Sequence, residues 1–365
     1  MKDGWEYKKL GEVAQSELGK TLNSSKDRGN LYPYLCAVNV LWDKIDTTTL
    51  KETRFEETEL ERYSVKKGDL LICEGGDIGR AAIWNQEQSI QYQNALHRVR
   101  FNGDVSPRFC LMYLRHLKDS GVLDSRYGKG VTIKHLVKSS LLSIPIPIPP
   151  LAEQERIVAE LDLLSSIIDK KKAQLKEYDQ LAQSIFYTMF GDPITNEKGW
   201  EVKAFEDTIC NVVYTKKLHR KDYLENGMIP IISQEEEFIS GYWNNADDAF
   251  KVDSPVVIFG DHTRVIKYID FSFVLGADGV KILKPINDIN TRYFFSFLKN
   301  CNVPSLGYSR HYKLLKELFV PLPPLPLQQE FASKVEAIER QKSLIQQSIV
   351  ETQTLFDSRM EHWFN

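Results

Sequence analysis

Cysteine is scarce in this sequence of 365 residues, and its five copies follow no pattern. No CxxC pair occurs, and no histidine stands at metal-ligand spacing from a cysteine. Because disulfide frameworks and zinc sites depend on such spacings, the sequence predicts neither of them. Unpatterned thiols are typical of proteins in the reducing cytoplasm. The five residues are Cys36, Cys73, Cys110, Cys210 and Cys301.

Long apolar runs are also missing. No window approaches the roughly 18 consecutive apolar residues of a membrane helix, and the stretch MKDGWEYKKLGEV lacks the apolar run of a signal peptide. Hydrophobic residues make up 42% and charged residues 27% of the chain, as in globular proteins. We therefore expect a cytoplasmic protein with no membrane partner, long enough for two domains.

A strong excess of positive charge is absent, since the formal net charge is −3. This balance argues against a protein that coats nucleic acid non-specifically, because such a protein needs a broad basic surface. It leaves specific DNA binding possible, since an acidic remainder can face protein partners. Basic residues must therefore be considered loop by loop.

Motifs for catalysis are missing as well. No GxxxxGK[ST] phosphate loop occurs, so the chain is not predicted to be an ATP-driven translocase. The two Pro-Pro pairs lack the preceding polar residue and following aromatic residue of an adenine methyltransferase. The carboxylates in GDIGR and GDHTR have no partner nearby in sequence, which weakens a nuclease hypothesis. We expect a chain that does no chemistry by itself.

An unusual construction is present twice. A proline-rich stretch runs directly into a long helical pattern in IPIPIPPLAEQERIVAELDLLSSIID (144–169) and again in VPLPPLPLQQEFASKVEAIERQKSLI (320–345). Upstream, GWEYKKLGEV matches GWEVKAFEDT 195 residues later, and GDIGRAAIW matches GDHTRVIKY 184 residues later. The offset falls to 174 at the repeated PPL, as loop deletions would produce. The sequence predicts an internal duplication.

Each copy begins with a globular part that mixes strands and helices. KKGDLLICEGGDIGRAAIW is typical of two strands around a glycine-rich turn, and KVDSPVVIFGDHTRVIKYI follows the same order. SPRFCLMYLRHLKDSG predicts a short helix that Ser106 can cap, and NTRYFFSFLKN after Asn290 predicts its counterpart. The prolines that follow are expected to leave the sheet and form a semi-rigid extended exit; a mere linker is the alternative.

Two long helices complete the copies. Apolar residues recur in them at alternating four- and three-residue spacing, interrupted in the first helix only by Lys171. Such a seam predicts a helix that packs along another helix. Each helix has about 37 residues, or about 55 Å, so we expect the two to form an antiparallel coiled-coil spacer. The seam residues are Ile157, Leu161, Leu164, Ile168, Leu175, Val335, Ile338, Ile345 and Ile349.

The fold class predicted is α+β, with two tandem mixed α/β domains that are each followed by a long helix. The expected boundaries are residues 1–148 for the first domain and 149–191 for its helix, then 192–322 and 323–365 for the second copy.

These motifs resemble those of a known family. PIPPLAEQERIVAELDLLSSIID, the GKGVTIKHLVKSSLLSIPIPIPPL ahead of it, and the second PLPPLPLQQEF are similar to the specificity subunit of type I restriction–modification systems. The second junction departs from the first, with an extra Pro326 and with Leu327 where the first copy has Glu153.

The resemblance implies a DNA-recognition subunit. Each domain would read one half of a bipartite double-stranded DNA target, and the helices would set the gap. Two methyltransferase subunits and restriction subunits would dock on the chain. These partners would carry S-adenosylmethionine, ATP and Mg²⁺, and this chain would bind no cofactor.

Candidate DNA-contacting residues stand mainly in loops, since phosphates are bound by Lys and Arg and base edges by short polar side chains as well. Two loops lie just before the proline stretches, and a solvated loop is the alternative interpretation of each. They contain Lys129, Thr132, Lys134 and His135 in the first copy, and Tyr308, Ser309, Arg310 and His311 in the second.

Three further groups are weaker candidates. Arg80, Thr263 and Arg264 follow the Gly-Asp turns, which could equally be structural hairpins. The basic run YTKKLHRKDY could clamp a phosphate or form a solvated face. Asn94 could pair with adenine or serve as a half-buried strand amide. The basic candidates in YTKKLHRKDY are Lys216, Lys217 and Arg220.

Two other functions stay open at this point. A coiled-coil adaptor with two protein-binding heads would explain the helices and the acidic balance, but not the basic loops at matching places. A specificity partner of a fused nuclease–methylase would keep the DNA role in a different system.

Overall fold

The structure is a computed structural model that describes residues 4–23, 25, 27–132, 134–307 and 309–365. It divides into two compact units. The first combines Met1–Lys170 with Ile349–Asn365, and the second is Lys171–Ser348. Each unit mixes helices and sheets and includes a part of both long helices, so the predicted α+β class is confirmed.

The first unit is built mainly from short strands and four short α-helices. A 3-10 turn at Ala37–Asn39 and a π-helical turn at Leu123–Tyr127 complete it. The strands are β1 (Glu6–Lys9), β2 (Ala14–Leu18), β3 (Asn30–Leu35), β4 (Val40–Leu41), β5 (Lys44–Ile45), β6 (Lys51–Phe55), β7 (Ser64–Val65), β8 (Leu70–Cys73), β9 (Ala81–Ile83), β10 (Ile90–Tyr92), β11 (Leu96–Phe101) and β12 (Pro145–Ile148). The helices are α1 (Leu10–Val13), α2 (Glu57–Leu60), α3 (Pro107–Asp119) and α4 (Lys138–Leu142).

Two four-stranded sheets form the first head, in the orders β2-β11-β8-β9 and β6-β3-β10-β7. Strand β8, LLIC, is buried along its whole length, which explains its unbroken apolar sequence. Its Leu71 and Cys73 share a core with Val65 and Tyr92 of the second sheet. The side chains between the two sheets therefore fix the hairpin that leaves β8.

The second unit repeats this plan. Its strands are β13 (Val202–Ala204), β14 (Ile209–Cys210), β15 (Lys217–Leu218), β16 (Ile229–Ile232), β17 (Gly241–Trp243), β18 (Val256–Gly260), β19 (Ile266–Ile269), β20 (Val274–Gly276), β21 (Val280–Pro285) and β22 (Phe319–Pro321). The helices are α6 (Thr291–Asn300) and α7 (Tyr312–Lys316), with 3-10 turns at Phe205–Thr208, Arg220–Asp222 and Ala246–Asp248. Long helices α5 (Leu151–Phe190) and α8 (Leu325–Phe364) follow the two heads. The sheets are β14-β21-β18-β19 and β15-β20-β16-β17.

Backbone hydrogen bonds show how the β8–β9 hairpin of the first unit corresponds to the β18–β19 hairpin of the second. In the first unit Cys73 N–H donates to Arg80 C=O, and in the second Gly260 N–H donates to Val265 C=O, both at 2.8 Å. The first loop is therefore residues 74–79 and the second is the shorter 261–264. Glu74 is thus equivalent to Asp261, whereas the sequence match had paired Asp261 with the aspartate of GDIGR. Loop shortening explains the difference, since the strands keep their register while the loop absorbs the deletion.

The proline stretches differ from the expectation that they would leave the sheet. Strand β12 pairs antiparallel with β1, and β22 pairs antiparallel with β13. Each sheet has only two strands. Alternate N–H groups of such a strand point away from its one neighbour, so proline at alternate positions leaves the ladder intact. The prolines thus tie the exit of each head to its first strand.

A buried glutamine follows each exit. Gln154 is fully buried; its Oε1 accepts from Ser106 N–H at 2.8 Å, and its Nε2 donates to the carbonyls of Asp104 and Pro149 at 3.0 and 2.9 Å. Gln328 makes the equivalent bonds in the second unit, to Asn290 N–H and to two carbonyls. Ser106 stands at the start of α3, but its side chain makes no capping bond there. The glutamine therefore joins the proline exit to the short helix.

We expect Gln328→Ala to lower the free energy of unfolding by about 2–4 kcal/mol, because one buried and two partly buried backbone groups lose their partner. The neighbouring Gln329→Ala is a matched control, since Gln329 is exposed on the same helix. It should change stability by less than about 0.5 kcal/mol. Denaturant unfolding of the two variants measures the difference. Equal stabilities would show that the buried glutamine is not a structural clamp.

The long helices have 40 residues each, slightly more than expected. Every residue of the predicted seam is buried or half-buried. In the first unit Glu160 accepts a hydrogen bond from Trp363 Nε1 at 3.2 Å and from Arg359. In the second unit Lys171 Nζ donates to Ser348 Oγ at 2.5 Å. Within each unit the two helices are therefore antiparallel neighbours, and the lysine that interrupts the seam has a polar partner.

No described helix is long and apolar enough to cross a membrane.

Candidate nucleic-acid interface

The loop before the first proline exit is a small hairpin. Lys129 and His135 exchange two backbone hydrogen bonds of 2.8 Å, which close the loop. Lys129, Thr132 and His135 are exposed on it. Val131 at its tip is 99% exposed, and Gly130 before it has a φ of +111°, a conformation that side chains other than glycine rarely adopt. The loop therefore presents polar, basic and apolar groups to solvent.

Buried groups anchor this hairpin to the sheet. Leu136 N–H donates to Glu74 C=O at 2.7 Å, and His97 Nε2 lies 2.8 Å from Leu136 C=O. Burial lowers the pKa of His97, so the ring is neutral and donates through Nε2–H. A neutral buried donor fixes the base of the loop without adding charge to the site.

The predicted candidates Asn94 and His135 meet at a cleft of about 520 Å³. They are 41 residues apart in sequence, and the hairpin anchor described above brings them together. Asn94 Nδ2 donates to Thr21 Oγ1 at 3.3 Å. The residues lining the cleft are Thr21, Leu22, Glu74, Gln93, Asn94, Ala95 and His135.

Two other candidates of the first unit have backbone partners. Lys134 Nζ donates to Asp124 C=O at 2.7 Å, and Arg80 Nη2 donates to Ala37 C=O at 2.8 Å. Both side chains are half-buried. Both side chains hold loops in place, and neither lies at the exposed tip of the Lys129–His135 hairpin.

The second unit joins the same two segments differently. His311 is 1% exposed, and its N–H and Nδ1 both bond to Asp261 C=O, at 2.7 and 2.9 Å. Leu306 N–H donates to the other ring nitrogen at 3.0 Å. His311 is buried, and both of its ring nitrogens bond to backbone groups. Its side chain is therefore not exposed at the surface, where the predicted DNA contact would lie. Its role is to anchor the loop, as Leu136 does in the first unit.

The loop of residues 233–238 lies against the turn of residues 261–264, and Lys267 on β19 holds it there. Lys267 is 4% exposed, and its Nζ donates to Ser233 C=O at 3.1 Å and to Glu237 C=O. Burial lowers the pKa of this lysine. Gln234 Oε1 in the loop so held accepts from His262 N–H at 3.1 Å, and its C=O accepts from Thr263 Oγ1. Thr263 therefore lies close to this loop.

The remaining candidates of the second unit are exposed basic residues. Arg220 is ion-paired with Glu235 at 2.9 Å, which places it beside Gln234. Lys216 lies 3.4 Å from Asp248, and Lys217 lies on β15, 5.3 Å above the Tyr214 ring. These pairs are open to water and are worth little in stability, so phosphates could compete for the cations.

The last candidates are Arg264, in the turn of residues 261–264, and Ser309 and Arg310, in the loop before α7. Arg264, with a φ of +62°, donates from Nη1 to Val303 C=O at 2.9 Å. Ser309 is half-buried and Arg310 is exposed, directly before the buried His311. Tyr308 lies outside the described residues.

Sequence reasoning missed Glu74, Val131 and Gln234. Glu74 precedes the GGD turn and Val131 stands between Gly130 and Thr132, so position in a glycine-containing loop was the available signal. Burial could not be read from the sequence. It separates Glu74, which is half-buried and lines the cleft, from its equivalent Asp261, which is 3% exposed.

The loops of both units carry mainly hydrogen-bonding groups. Among the described residues no group of three or more His, Cys, Asp or Glu is placed to hold a metal ion. Burial raises the pKa of the Cys73 thiol, which disfavours its thiolate form. Each unit gathers hydrogen-bond donors and acceptors on loops that a sheet holds in place.

Comparison with known proteins identifies the family. The fold and the loops define an internally duplicated protein with two α+β heads and long helices. The chain belongs to the family of the type I restriction modification DNA specificity domain, whose profile matches residues 2–177 and again 197–353. The predicted resemblance and the predicted duplication are confirmed.

Individual relatives agree with this assignment. The chain is 22% identical over 375 residues to a Methanocaldococcus jannaschii protein whose name, type I restriction enzyme MjaX specificity subunit, is itself provisional; the match covers 92% of this chain and 87% of that one. It is 26% identical over 250 residues to the EcoBI specificity subunit of Escherichia coli, covering 67% of this chain and 50% of that one. The crystal structure of the S subunit from M. genitalium has the same fold, with a TM-score of 0.60, 15% identity, and coverage of 100% and 98%.

Proposed function

We propose that this chain is the DNA-reading subunit of a type I restriction–modification complex, and that each unit reads one half of a bipartite site. The family assignment supports the DNA role. The duplication supports the two halves, because two similar heads on one chain suit two short sequences better than one long one.

The observation that carries this proposal is the same in both units. In each unit the loop just before the proline exit is joined by a backbone hydrogen bond to the first residue of a hairpin turn. The bond runs from Leu136 N–H to Glu74 C=O in the first unit and from His311 N–H to Asp261 C=O in the second. Both loops carry exposed basic residues, Lys129 in the first and Arg310 in the second. Base edges can be read by the polar cleft and phosphates bound by these cations.

The paired helices fit a role as spacer and docking surface. Their polar outer faces include exposed Leu163 and Leu344, 62% and 59% exposed, which protein partners could cover. Two methyltransferase subunits and restriction subunits would bind there. S-adenosylmethionine, ATP and Mg²⁺ would belong to those partners, and catalysis would reside in them.

A genome-wide map of base modification, with the gene intact and deleted, tests the function. We expect methylated adenines at one split motif, two short halves around an unspecified gap, to disappear on deletion. Reintroducing the intact gene is the control and should restore them. A motif that persists would mean that another chain directs methylation. If no such motif exists even with the gene intact, gel shifts of the chain with its methyltransferase partner decide whether it binds a split site.

A further inference from the structure

The carboxylate of Glu74 is the unusual group in the first unit's cleft. Glu74 is half-buried and lines the cleft. Its carboxylate makes no hydrogen bond or ion pair with any residue that the structure describes. Its backbone is held on both sides, by Ala95 C=O at 2.9 Å and by Leu136 N–H at 2.7 Å. The carboxylate oxygens are not among the buried unpartnered atoms of the protein, so they are accessible to solvent and can accept from a donor that arrives with a ligand.

The cleft is not suited to a phosphate. Of the residues described by the structure, those that line it include no lysine or arginine. Lys20, next to Thr21, points elsewhere, with its Nζ 2.6 Å from Glu59 Oε2 and 2.9 Å from Arg54 C=O. A phosphate beside Glu74 would place two negative charges together without a cation, which is unfavourable. The edge of a base is the part of DNA that fits.

A carboxylate can only accept hydrogen bonds, and this limits which base it reads. In the major groove adenine N6 and cytosine N4 are the exocyclic donors, whereas guanine and thymine present acceptors there. Asn94 lines the same cleft and bonds to Thr21, so its amide is placed where it could contact the same base.

We propose that Glu74 accepts a hydrogen bond from the exocyclic amino group of one base, adenine or cytosine, in the half-site read by the first unit. This inference rests on the DNA-reading role proposed above. It makes Glu74 a specificity-determining residue and the cleft a base-reading site.

In the second unit the carboxylate at the equivalent position is not open to a ligand. Asp261 takes the same backbone position, but it is 3% exposed and its Oδ1 accepts from Tyr312 N–H at 2.7 Å. That carboxylate is satisfied inside the protein. The two heads therefore differ in chemistry at equivalent positions, and the effect of changing Glu74 belongs to one half-site alone.

Binding of synthetic duplexes to the complex of the chain with its methyltransferase partner tests the inference. The duplexes carry the split motif, with one base at a time replaced: adenine by purine, which lacks N6, or cytosine by 2-pyrimidinone, which lacks N4. For the unaltered chain we expect one replacement in the first half-site to weaken binding roughly ten- to hundredfold. Whether the sensitive duplex carries purine or pyrimidinone tells which base supplies the amino group.

The variant Glu74→Ala, which removes the acceptor, completes the test. It should bind the unmodified duplex more weakly by a similar factor and lose most of its sensitivity to that one replacement, while the second half-site is still read. Glu57→Ala, at an exposed glutamate on α2, is the control and should behave as the unaltered chain. Melting curves of both variants show whether they are folded; if Glu74→Ala is not, Glu74→Leu, which also lacks an acceptor, takes its place.

The outcomes separate the two proposals. If the unaltered complex prefers the split motif to a duplex without it, but Glu74→Ala and the unaltered chain respond alike to every replacement, the inference about Glu74 is wrong and the DNA-reading role stands. If the unaltered complex binds a duplex without the split motif as tightly as one that carries it, the DNA-reading role fails, and the inference fails with it.

Discussion

Leu161→Asp is expected to destabilise the protein by about 5 kcal/mol, because Leu161 is fully buried in the seam of α5. The substitution removes a buried side chain and places a carboxylate among apolar neighbours. Gln154, Ile157 and Leu161 are all fully buried, so the start of this helix is tightly packed. For a domain of this size the loss corresponds to a fall in melting temperature of roughly 10 °C or more.

Leu163→Asp is the matched control. Leu163 lies two residues further along the same helix and is 62% exposed. The substitution makes the same change of side chain as Leu161→Asp. Its effect should be below about 0.5 kcal/mol. Thermal unfolding followed by circular dichroism compares the two variants. Similar melting temperatures would contradict the assignment of the seam, since the periodicity would then not mark the buried face.

Much of the fold follows from sequence periodicity and duplication. The spacing of Ile157, Leu161 and Ile168 marks the buried face of α5, and the repeated PPL marks the start of both long helices. Such signals are local and are repeated many times, so single exceptions such as Lys171 do not hide them.

The prolines were misread for a physical reason. Proline is unfavourable in a central strand, and from the sequence alone β12 could not be recognised as half of a two-stranded sheet. Its partner β1 lies about 140 residues earlier in the chain. Long-range pairing of this kind leaves almost no local trace.

Residue type alone does not show which side chains of the candidate loops are exposed. His135 and His311 stand in corresponding loops, yet one is exposed and the other is 1% exposed. The difference arises from contacts with Asp261 and Leu306, which depend on loop length and not on the histidine itself. Loop sequences therefore predict where polar and basic residues gather better than they predict which of those side chains reach the surface.

Adding one heptad to each long helix is expected to widen the unspecified gap of the DNA motif by about three base pairs. Seven residues add about 10 Å of helix, and one base pair occupies about 3.4 Å. A heptad preserves the spacing of the seam, so the residues on either side of the insertion keep their buried face. Suitable insertion points are between residues 170 and 171 and between 348 and 349, next to the bond of Lys171 with Ser348.

The readout is a methylation map of cells that carry the lengthened gene in place of the original. The two half-site sequences should be unchanged, because neither head is altered, and only the number of bases between them should grow. Insertion of five residues in each helix is the control; it shifts the seam to another face and should abolish methylation instead of lengthening the gap. A gap that stays constant in the lengthened protein would show that the partner subunits, and not these helices, set the distance between the half-sites.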